Sequence, residues 1–533
     1  MRWIVALAAL FAVSMSSSLS AADKPNVVFV LCDDLGYGDL SGLNPNSKLK
    51  TPHFDRVAAE GVIFTDAHSG SAVCSPTRYG VMTGRYAWRT KLQSGVLGGL
   101  SPRLIEPGRT TVASFLKDRG YHTKCIGKWH LGMDWVKLPG KQVTELNIES
   151  ADQVHNVDYS QPYTNGSTSV GFDEYFGISA SLDMVPYTFL RNDRVTVLPT
   201  VDKAWELMLG RPAAMSRLGP TAPEFHANQV LPALTAEAVK YIGERADNAR
   251  NGKPFYLYLP YASPHTPIQP TGEWLGKSGL NAYGDFVLQQ DANIGELLKA
   301  LDEHGLTKDT LVVITSDNGC SPQAKFDELI AKGHNPSHIF RGTKADIFEG
   351  GHRVPYLVRW PAKVTSGRTT NRLTCLTDFF ATCADILGEK LPDNAAEDSV
   401  SYLPTLLGQP TSPDRAVVHH SINGSFAIRQ GDWKLALCPG SGGWSAPRPG
   451  QQDTSSMPLV QLFNLRDDIA ETKNLEADRP EVVKRLTQLL EAFVATGRST
   501  PGTPQQNAVE VDIWKAGKAA HQPVQTKTKK KKT

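Results

Sequence analysis

Two pairs of oxygen-bearing side chains directly follow strongly apolar runs of the sequence. Asp33 and Asp34 come after one run, and Asp317 and Asn318 come after another. Carboxylate and amide oxygens are hard donors, which favour Ca²⁺ or Mg²⁺ over zinc or copper. Either pair alone could be a helix cap or a turn. Because both follow runs that are typical of buried strands, we predict that the four residues share one metal ion.

A cysteine lies in a second segment that could do chemistry. The sequence AVCSPTR at 72–78 places Cys74 among small residues, just before Pro76. Proline restricts the residue before it to an extended conformation and can open a helix. A cysteine at a helix N-terminus gains thiolate character, and an anion is favoured there. On these residues alone, an inert buried cysteine is the alternative.

Three titratable side chains follow two further apolar runs. Lys128 and His130 come after the run at 124–126, and His265 comes after the run at 255–259. Histidine can transfer protons, and lysine can bind an anion. A single histidine is more often structural and a single lysine is more often solvated. Their position after apolar runs is therefore the feature that suggests a function.

Two longer motifs resemble the signatures of the type I sulfatase family, which is arylsulfatase-like and belongs to the alkaline phosphatase superfamily. The segment CSPTR at 74–78, continued by TGR at 83–85, resembles the first signature. The segment GYHTKCIGKWHLG at 120–132 resembles the second. Both stand in the family's order and spacing, and the resemblance extends from about residue 25 to residue 474.

Resemblance to this family implies a chemically modified nucleophile. A formylglycine-generating enzyme is expected to oxidise Cys74 to formylglycine (3-oxoalanine) during export. One hydroxyl of the hydrated aldehyde attacks sulfur, and the second allows sulfate to leave. The implied reaction is hydrolysis of a sulfate monoester to an alcohol and inorganic sulfate. A sulfated carbohydrate is the expected substrate, and aryl sulfates are expected to react as well.

The resemblance also implies a role for each polar residue named above and for Lys344. One Ca²⁺ ion is expected to be bound by Asp33, Asp34, Cys74, Asp317 and Asn318. Arg78 would steady the aldehyde hydrate, and Lys128 and Lys344 would contact the sulfate. His130 is the candidate base and His265 the candidate acid. Whether His265, Lys344 or Lys128 delivers the proton to the leaving group is left open.

Two other functions compete with this interpretation. A phosphoester or phosphonoester hydrolase of the same superfamily would have a similar sheet and similar metal ligands. Such enzymes tend to use serine or threonine with a second metal, whose extra ligands are not found in this sequence. A non-catalytic binder of sulfated glycans would have a decayed site, whereas the implied catalytic set is intact here.

Four further residues leave alternatives open. His352 and Arg353 follow two glycines, and they either line the pocket or brace a loop. His419 and His420 either reach the substrate from the side or are structural.

The alternation of strand-like and helix-like segments predicts the fold that positions these residues. Short apolar runs typical of buried parallel strands alternate with amphipathic stretches that fit helices, at 26–31, 111–119, 124–126, 234–246, 255–259, 285–304 and 311–314. We therefore expect an α/β fold with a mainly parallel central sheet flanked by helices, like that of alkaline phosphatase. In such a sheet, ligands bind beyond the carboxyl ends of the strands.

Four regions are expected along the chain. They are a signal peptide, a catalytic sulfatase domain, a smaller C-terminal domain and a loose tail with a lysine-rich end, at 1–22, 23–400, 401–500 and 501–533. Within the catalytic domain, the segment 373–387 is predicted to be one more helix. The C-terminal domain is predicted to be α+β, with antiparallel strands at 426–437 and 459–465 and a helix at 480–496.

Composition and charge exclude several classes of protein. Hydrophobic residues make up 40% and charged residues 21% of the chain, which is ordinary for a globular protein. The net charge is only +2, and lysines crowd the last few residues, so nucleic-acid binding is not indicated. No stretch beyond the signal peptide is apolar enough for stable membrane insertion. We expect a secreted or periplasmic protein.

Overall fold

A computed structural model describes residues 24–410, 415–454 and 456–514 of the chain. The predicted signal peptide and the lysine-rich end lie outside the described residues. Within these ranges, every helix is too short or too polar to serve as a membrane span. All seven cysteines fall within them, and each is buried and unpaired.

The strands and helices of both domains are numbered here in chain order, and the two kinds of element alternate along the catalytic domain. The strands are β1 (Asn26–Asp33), β2 (Val62–Phe64), β3 (Ala67–His68), β4 (His122–Lys128), β5 (Glu174–Ile178), β6 (Leu190–Arg191), β7 (Arg194–Val195), β8 (Val201–Lys203), β9 (Gly219–Thr221), β10 (Phe255–Pro264), β11 (Thr310–Ser316), β12 (Tyr356–Arg359), β13 (Arg368–Thr370), β14 (Thr374–Cys375), β15 (Ala416–His420), β16 (Phe426–Gln430), β17 (Trp433–Ala436) and β18 (Gln461–Asn464). The helices are α1 (Pro52–Ala59), α2 (Cys74–Thr83), α3 (Val112–Lys117), α4 (Val230–Arg250), α5 (Ala282–Glu303), α6 (Phe326–Ala331), α7 (Glu349–His352), α8 (Asp378–Ile386), α9 (Leu403–Leu406) and α10 (Pro480–Ala495).

A single 10-stranded sheet forms the centre of the catalytic domain. Its strand order is β13-β2-β12-β11-β1-β10-β4-β5-β6-β7. The neighbours from β11 to β5 are parallel, whereas β12 and β6 run antiparallel to the strands beside them. All 8 residues of β1 are buried, as expected for a parallel strand covered on both faces. The predicted mainly parallel α/β sheet is confirmed, and the carboxyl ends of its central strands share one edge.

The segment 373–387, which we predicted to be one helix, is divided in the structure. Its first residues form β14, which pairs with β3, and α8 begins only at Asp378. The Asp378 carboxylate accepts the backbone N–H of Cys375 at 3.1 Å, which closes the turn before the helix. The prediction was wrong at this end because apolar composition alone does not separate a short buried strand from the start of a helix.

The C-terminal domain is an antiparallel sheet covered by one helix. Its strand order is β15-β16-β17-β18, and Leu486 and Leu490 of α10 are fully buried against it. The predicted α+β character is confirmed. The apolar segment 426–437, predicted as a strand, forms the two strands β16 and β17. They are joined by a tight turn in which Gly431 has a φ of 58°, a conformation that glycine adopts at little cost.

Residues 501–514 contain no helix or strand, but they are bonded to the catalytic domain. The backbone N–H of Ala508 donates to the carbonyl of Arg89 at 2.8 Å, and the Arg89 guanidinium donates to the side chain of Asn507 at 2.9 Å. Ile513 is buried in the C-terminal core. This part of the predicted loose tail is therefore fixed by hydrogen bonds, which its polar, irregular sequence does not reveal.

A buried ion network joins the two domains. Lys434 of β17 lies 3.1 Å from a carboxylate oxygen of Glu349 in α7 and 2.8 Å from one of Glu471. All three side chains are fully buried. Glu471 also accepts the backbone N–H of Glu349 at 2.7 Å. The C-terminal domain thus holds the start of α7 in place.

We expect Lys434→Met to destabilise the protein by about 3–5 kcal/mol, because it leaves the buried Glu471 carboxylate without its cation and Glu349 with Arg353 as its close cation. The measurement is chemical denaturation followed by fluorescence. Lys299→Met is the matched control, since Lys299 is exposed and its pair with Glu303 contributes little. Equal stability of the Lys434→Met variant and the wild type would contradict this account of the domain contact.

Candidate active site

The polar residues predicted to act together meet at the carboxyl edge of the central sheet. Asp33 is the last residue of β1, and Asp317 directly follows the neighbouring strand β11. Lys128 ends β4, and His265 directly follows β10. The parallel pairing of these strands fixes the meeting, because each strand delivers its last side chains to the same edge.

Three buried carboxylates form the centre of the site. Asp33, Asp34 and Asp317 each have an oxygen within 4.8 Å of the other two. Asn318 donates its side-chain N–H to Asp34 at 2.7 Å. One oxygen of Asp33 and the amide oxygen of Asn318 are buried and have no hydrogen-bond partner among the described residues. Such orphaned hard oxygens suit a calcium ion, so the donor set fits the predicted metal.

Three buried cations alternate with these carboxylates. The Arg78 guanidinium lies 2.8 Å from Asp317 and 3.4 Å from Asp33. Lys128 forms an ion pair with Asp33, and Lys344 lies 2.7 Å from Asp34. Every one of these groups is at least 95% buried, so each charge depends on its neighbours for compensation.

In this environment the pKa values of the neighbouring carboxyl groups of Asp33 and Asp317 shift in opposite directions. Burial would raise the pKa of Asp33, but Lys128, His265 and Arg78 hold it well below its ordinary value. Burial and the repulsion from Asp33 raise the pKa of Asp317 to about 6. In the absence of a metal ion, Asp317 is thus the carboxyl group that takes up a proton first.

Cys74 is the first residue of α2 and faces the carboxylates. Its sulfur, an oxygen of Asp33 and a ring nitrogen of His265 lie within 4.8 Å of one another. The predicted helix start is confirmed, but the expected thiolate character is wrong, because burial raises the pKa of the thiol despite Lys128 and Lys344 nearby. An unmodified thiol is therefore a weak nucleophile at this position.

His130 and His265 present different ring nitrogens to the site. His130 donates from Nε2 to the Leu97 carbonyl at 2.8 Å, and its Nδ1 has no partner among the described residues. Burial, Lys128 and Arg78 lower the pKa of His130 far below its ordinary value, so Nδ1 carries a free lone pair. His265 donates from Nδ1 to the Thr266 carbonyl, which leaves its Nε2 3.7 Å from Asp34.

A second group of histidines lies apart from this centre, against the C-terminal sheet. His68, His352 and His419 have ring nitrogens within 4.8 Å of one another. Lys434 lies 3.0 Å from Nε2 of His352, and Arg429 lies 3.1 Å from Nε2 of His68, while the Asp66 carboxylate lies 2.7 Å from the same His68 nitrogen. The histidine group is thus part of a buried network of both charges.

The contacts of the four further residues favour structural roles for His352, Arg353 and His419. His352 is buried in the histidine group, and Arg353 donates to Glu349 and to the Thr65 carbonyl, so both brace α7. His419 stacks on His352 with ring centroids 3.8 Å apart, which is a packing role. His420 contributes its backbone carbonyl, which accepts the N–H of Ala72 just before the cysteine segment.

Comparison with known proteins identifies the architecture. The family model described as "Sulfatase" matches residues 25–389 of the chain.

The chain belongs to the sulfatase family.

A relative from Bacteroides thetaiotaomicron, named N-acetylgalactosamine-6-O-sulfatase, is 33% identical to this sulfatase. The alignment covers 88% of this chain and 93% of the relative. Human steryl-sulfatase is 30% identical, over 93% of this chain and 92% of its own. A solved structure from work on the metabolism of multiple glycosaminoglycans by Bacteroides thetaiotaomicron superposes with a TM-score of 0.74 at 32% identity, covering 88% of this chain and 99% of that one. These likenesses make the protein a sulfuric ester hydrolase.

Some residues of the sulfatase site were not singled out from the sequence. Leu97 orients the His130 ring, and the Ser179 carbonyl accepts the His130 backbone N–H at 2.9 Å. Gly127 has a φ of 138°, and a Cβ there would lie 1.9 Å from the carbonyl oxygen of Pro260, so only glycine lets β4 approach β10 this closely. The glycine stands inside the second motif and was a readable signal, whereas backbone carbonyls leave no trace in a sequence.

We expect calcium affinity to fall as the pH falls through about 6, because a proton competes with the ion for Asp317, whose pKa is raised to about 6. Below that pH the carboxyl group is neutral and must release its proton when the metal binds. Isothermal titration calorimetry of chelator-treated protein in buffers of different ionisation enthalpy measures both affinity and proton release.

Asp317→Asn is the control for this prediction. It should bind Ca²⁺ more weakly at every pH and show a flatter pH dependence, because the titrating group is gone. Unchanged affinity of the wild type across this pH range would contradict the assignment of Asp317 as a ligand.

Proposed function

We propose that this sulfatase removes sulfate from sulfated carbohydrates, using formylglycine formed from Cys74 and one Ca²⁺ ion. One observation carries the proposal: the Cys74 sulfur lies within 4.8 Å of both an Asp33 oxygen and a His265 nitrogen. A nucleophile, a metal ligand and a proton carrier are thereby gathered around a volume that a single tetrahedral anion could fill.

Two groups would complete the site. Asp33, Asp34, Asp317 and Asn318, with residue 74, would hold the ion, which would supply positive charge toward the sulfuryl oxygens. Formylglycine would supply two hydroxyl groups on one carbon, one to bond to sulfur and one to allow sulfate release. The high pKa of the buried thiol supports such a conversion, because the cysteine itself would be a weak nucleophile.

Two lysines would bind the sulfate group. Lys128 and Lys344 are buried on either side of the carboxylates, and each already neutralises one of them. A sulfate ester is screened from nucleophiles by its own negative charge, so fixed positive charges lower the barrier to attack. Lys344 is held in position at its backbone, where its N–H donates to the Cys320 carbonyl at 2.9 Å.

The two histidines would divide the proton transfers. His130 is neutral and has a free lone pair on Nδ1, which suits a base that removes a proton as sulfate leaves. His265 faces Asp34 with its Nε2, so it can carry a proton to the departing alcohol oxygen. Arg78 holds Asp33 and Asp317 in register and is fully buried, which suits a positioning role.

The carbohydrate preference draws on the relatives. The relative that is 33% identical is named for N-acetylgalactosamine 6-sulfate, while relatives of about 30% identity are named for sterol or aryl sulfates. Between these classes, the polar atoms of Ser179, Ser181 and Asp183 near His130, which are unpaired among the described residues, favour a sugar. The predicted signal peptide supports action outside the cytoplasm, after a formylglycine-generating enzyme has modified Cys74.

We expect Cys74→Ala to abolish turnover of an aryl sulfate while the melting temperature stays close to that of the wild type, because the nucleophile is lost. Calcium binding should weaken but persist, because four of the five proposed ligands remain. Mass spectrometry of the peptide containing residue 74 should show the aldehyde in active wild-type protein made with the modifying enzyme. Cys383→Ala, at a buried thiol in α8, is the matched control and should remain active.

An unmodified thiol in fully active protein would overturn the proposed nucleophile. Loss of folding in Cys74→Ala would instead identify a structural cysteine. Aryl phosphate, tested beside aryl sulfate, separates this function from the phosphoester hydrolase alternative, and we expect the higher kcat/KM for the sulfate.

A further inference from the structure

A group of buried polar atoms beside His130 lacks hydrogen-bond partners among the described residues. Ser179 directly follows β5, and its carbonyl accepts the N–H of His130. The hydroxyls of Ser179 and Ser181 are unpaired, as is one carboxylate oxygen each of Glu149 and Asp183. Ser179, Ser181 and Glu149 are 3%, 2% and 0% exposed. Buried polar atoms are rarely left unpaired, so this group has hydrogen-bonding capacity that a polar ligand could use.

Two glycines bring these atoms against the loop that orients the candidate base. A Cβ at Gly98 would lie 2.3 Å from Glu149 Oε2, and a Cβ at Gly99 would lie 3.3 Å from Ser179 Oγ. Leu97, the preceding residue, accepts the ring proton of the candidate base. The unpaired atoms are therefore adjacent to the catalytic centre along a tightly packed loop.

A half-buried cation completes the group. The Arg217 carbonyl accepts the hydroxyl of Tyr187 at 2.6 Å, which fixes its backbone, and its guanidinium makes no hydrogen bond within the described ranges. Burial raises the pKa of Glu149, while Arg217 acts to lower it and Asp183 to raise it. The same three charges act on the pKa of the Tyr187 hydroxyl.

The chemistry of this group selects one class of ligand. Two carboxylates can accept protons from hydroxyl groups, a guanidinium can donate to oxygen, and serine hydroxyls can do both. A sugar ring, whose neighbouring hydroxyls donate and accept in alternation, satisfies all of them. A sterol would leave these polar atoms buried and unpaired, and a second sulfate group would be repelled by the two carboxylates.

We propose that Ser179, Ser181, Asp183 and Arg217 form a sugar subsite, which binds the hydroxyl groups of the ring that carries the sulfate. Glu149 positions this subsite by accepting the backbone N–H of Leu100 at 3.5 Å. The inference rests on the proposed function and deepens it, because it names the part of the site that distinguishes a sulfated sugar from a sterol or aryl sulfate. It also joins residues from two long segments, 135–171 and 184–227, that lie between the main strands of the central sheet.

The test compares two substrates on the full-length, formylglycine-bearing enzyme loaded with Ca²⁺. N-acetylgalactosamine 6-sulfate carries ring hydroxyls, and 4-nitrophenyl sulfate carries none. We expect Asp183→Asn and Arg217→Met each to lower kcat/KM for the sugar sulfate by about 10- to 100-fold more than for the aryl sulfate, as loss of a hydrogen bond to a charged group predicts. Ser181→Ala should show the same selectivity with a smaller loss.

Asp152→Asn is the matched control, because Asp152 is an exposed carboxylate on the loop that also carries Glu149. This substitution should leave kcat/KM unchanged for both substrates. Melting temperatures confirm that each variant is folded.

Four outcomes are distinguishable. Selective loss of the sugar substrate supports the subsite. Equal losses on both substrates, or no loss on either, overturn the subsite while the sulfatase function stands. A wild type that hydrolyses the aryl sulfate but none of a panel of sulfated sugars overturns the proposed substrate class, and the subsite with it.

Discussion

Mutual neutralisation of buried charges at the edge of the central sheet is the constraint on which this sulfatase depends. Three carboxylates and three cations share a volume that is almost closed to water. Moving any one charge into such surroundings is costly unless its partners are in place. Each residue of this set therefore keeps its neighbours charged, so replacing one of them affects the others. The set comprises Asp33, Asp34, Asp317, Arg78, Lys128 and Lys344.

This arrangement explains why the C-terminal domain matters for the chemistry although it supplies none of the charged groups. Lys344 lies on a loop that is held from both sides. The N–H of Ala345 donates to the Ala72 carbonyl of the catalytic domain, and the N–H of Ile347 donates to the Ser441 carbonyl of the C-terminal domain. The Lys434 network then fixes α7, which follows directly. The position of one cation at the catalytic edge is thus set jointly by two domains.

Around this fixed centre, the proposed sugar subsite would assign substrate choice to segments outside the charged centre. The charged centre suits the sulfate group, which every substrate of a sulfatase shares, so it cannot tell one alcohol from another. The unpaired polar atoms near Asp183 and Arg217 lie outside the centre and differ from it in chemistry, because they favour neutral hydroxyl groups rather than an anion. Separating the two tasks allows the loops to change without disturbing the charge balance.

The sequence by itself determined the class of fold and the residues at the centre. Apolar runs that suit buried parallel strands placed β1, β4, β10 and β11, and the polar residues that follow each run had to meet because parallel strands end at one edge. The two family motifs supplied the cysteine, Arg78, the lysine that ends β4 and the histidine that follows it. Their positions could be predicted because they depend on local sequence and on a rule of sheet geometry.

Other features were decided only by the tertiary structure. The pKa of the Cys74 thiol rises because burial outweighs its place at a helix start, and burial is a property of the packed chain. The split of 373–387 into strand and helix depends on pairing with β3, more than 300 residues earlier in the chain. The packing of His352 against His419 likewise arises from a contact between distant segments, which no local pattern encodes.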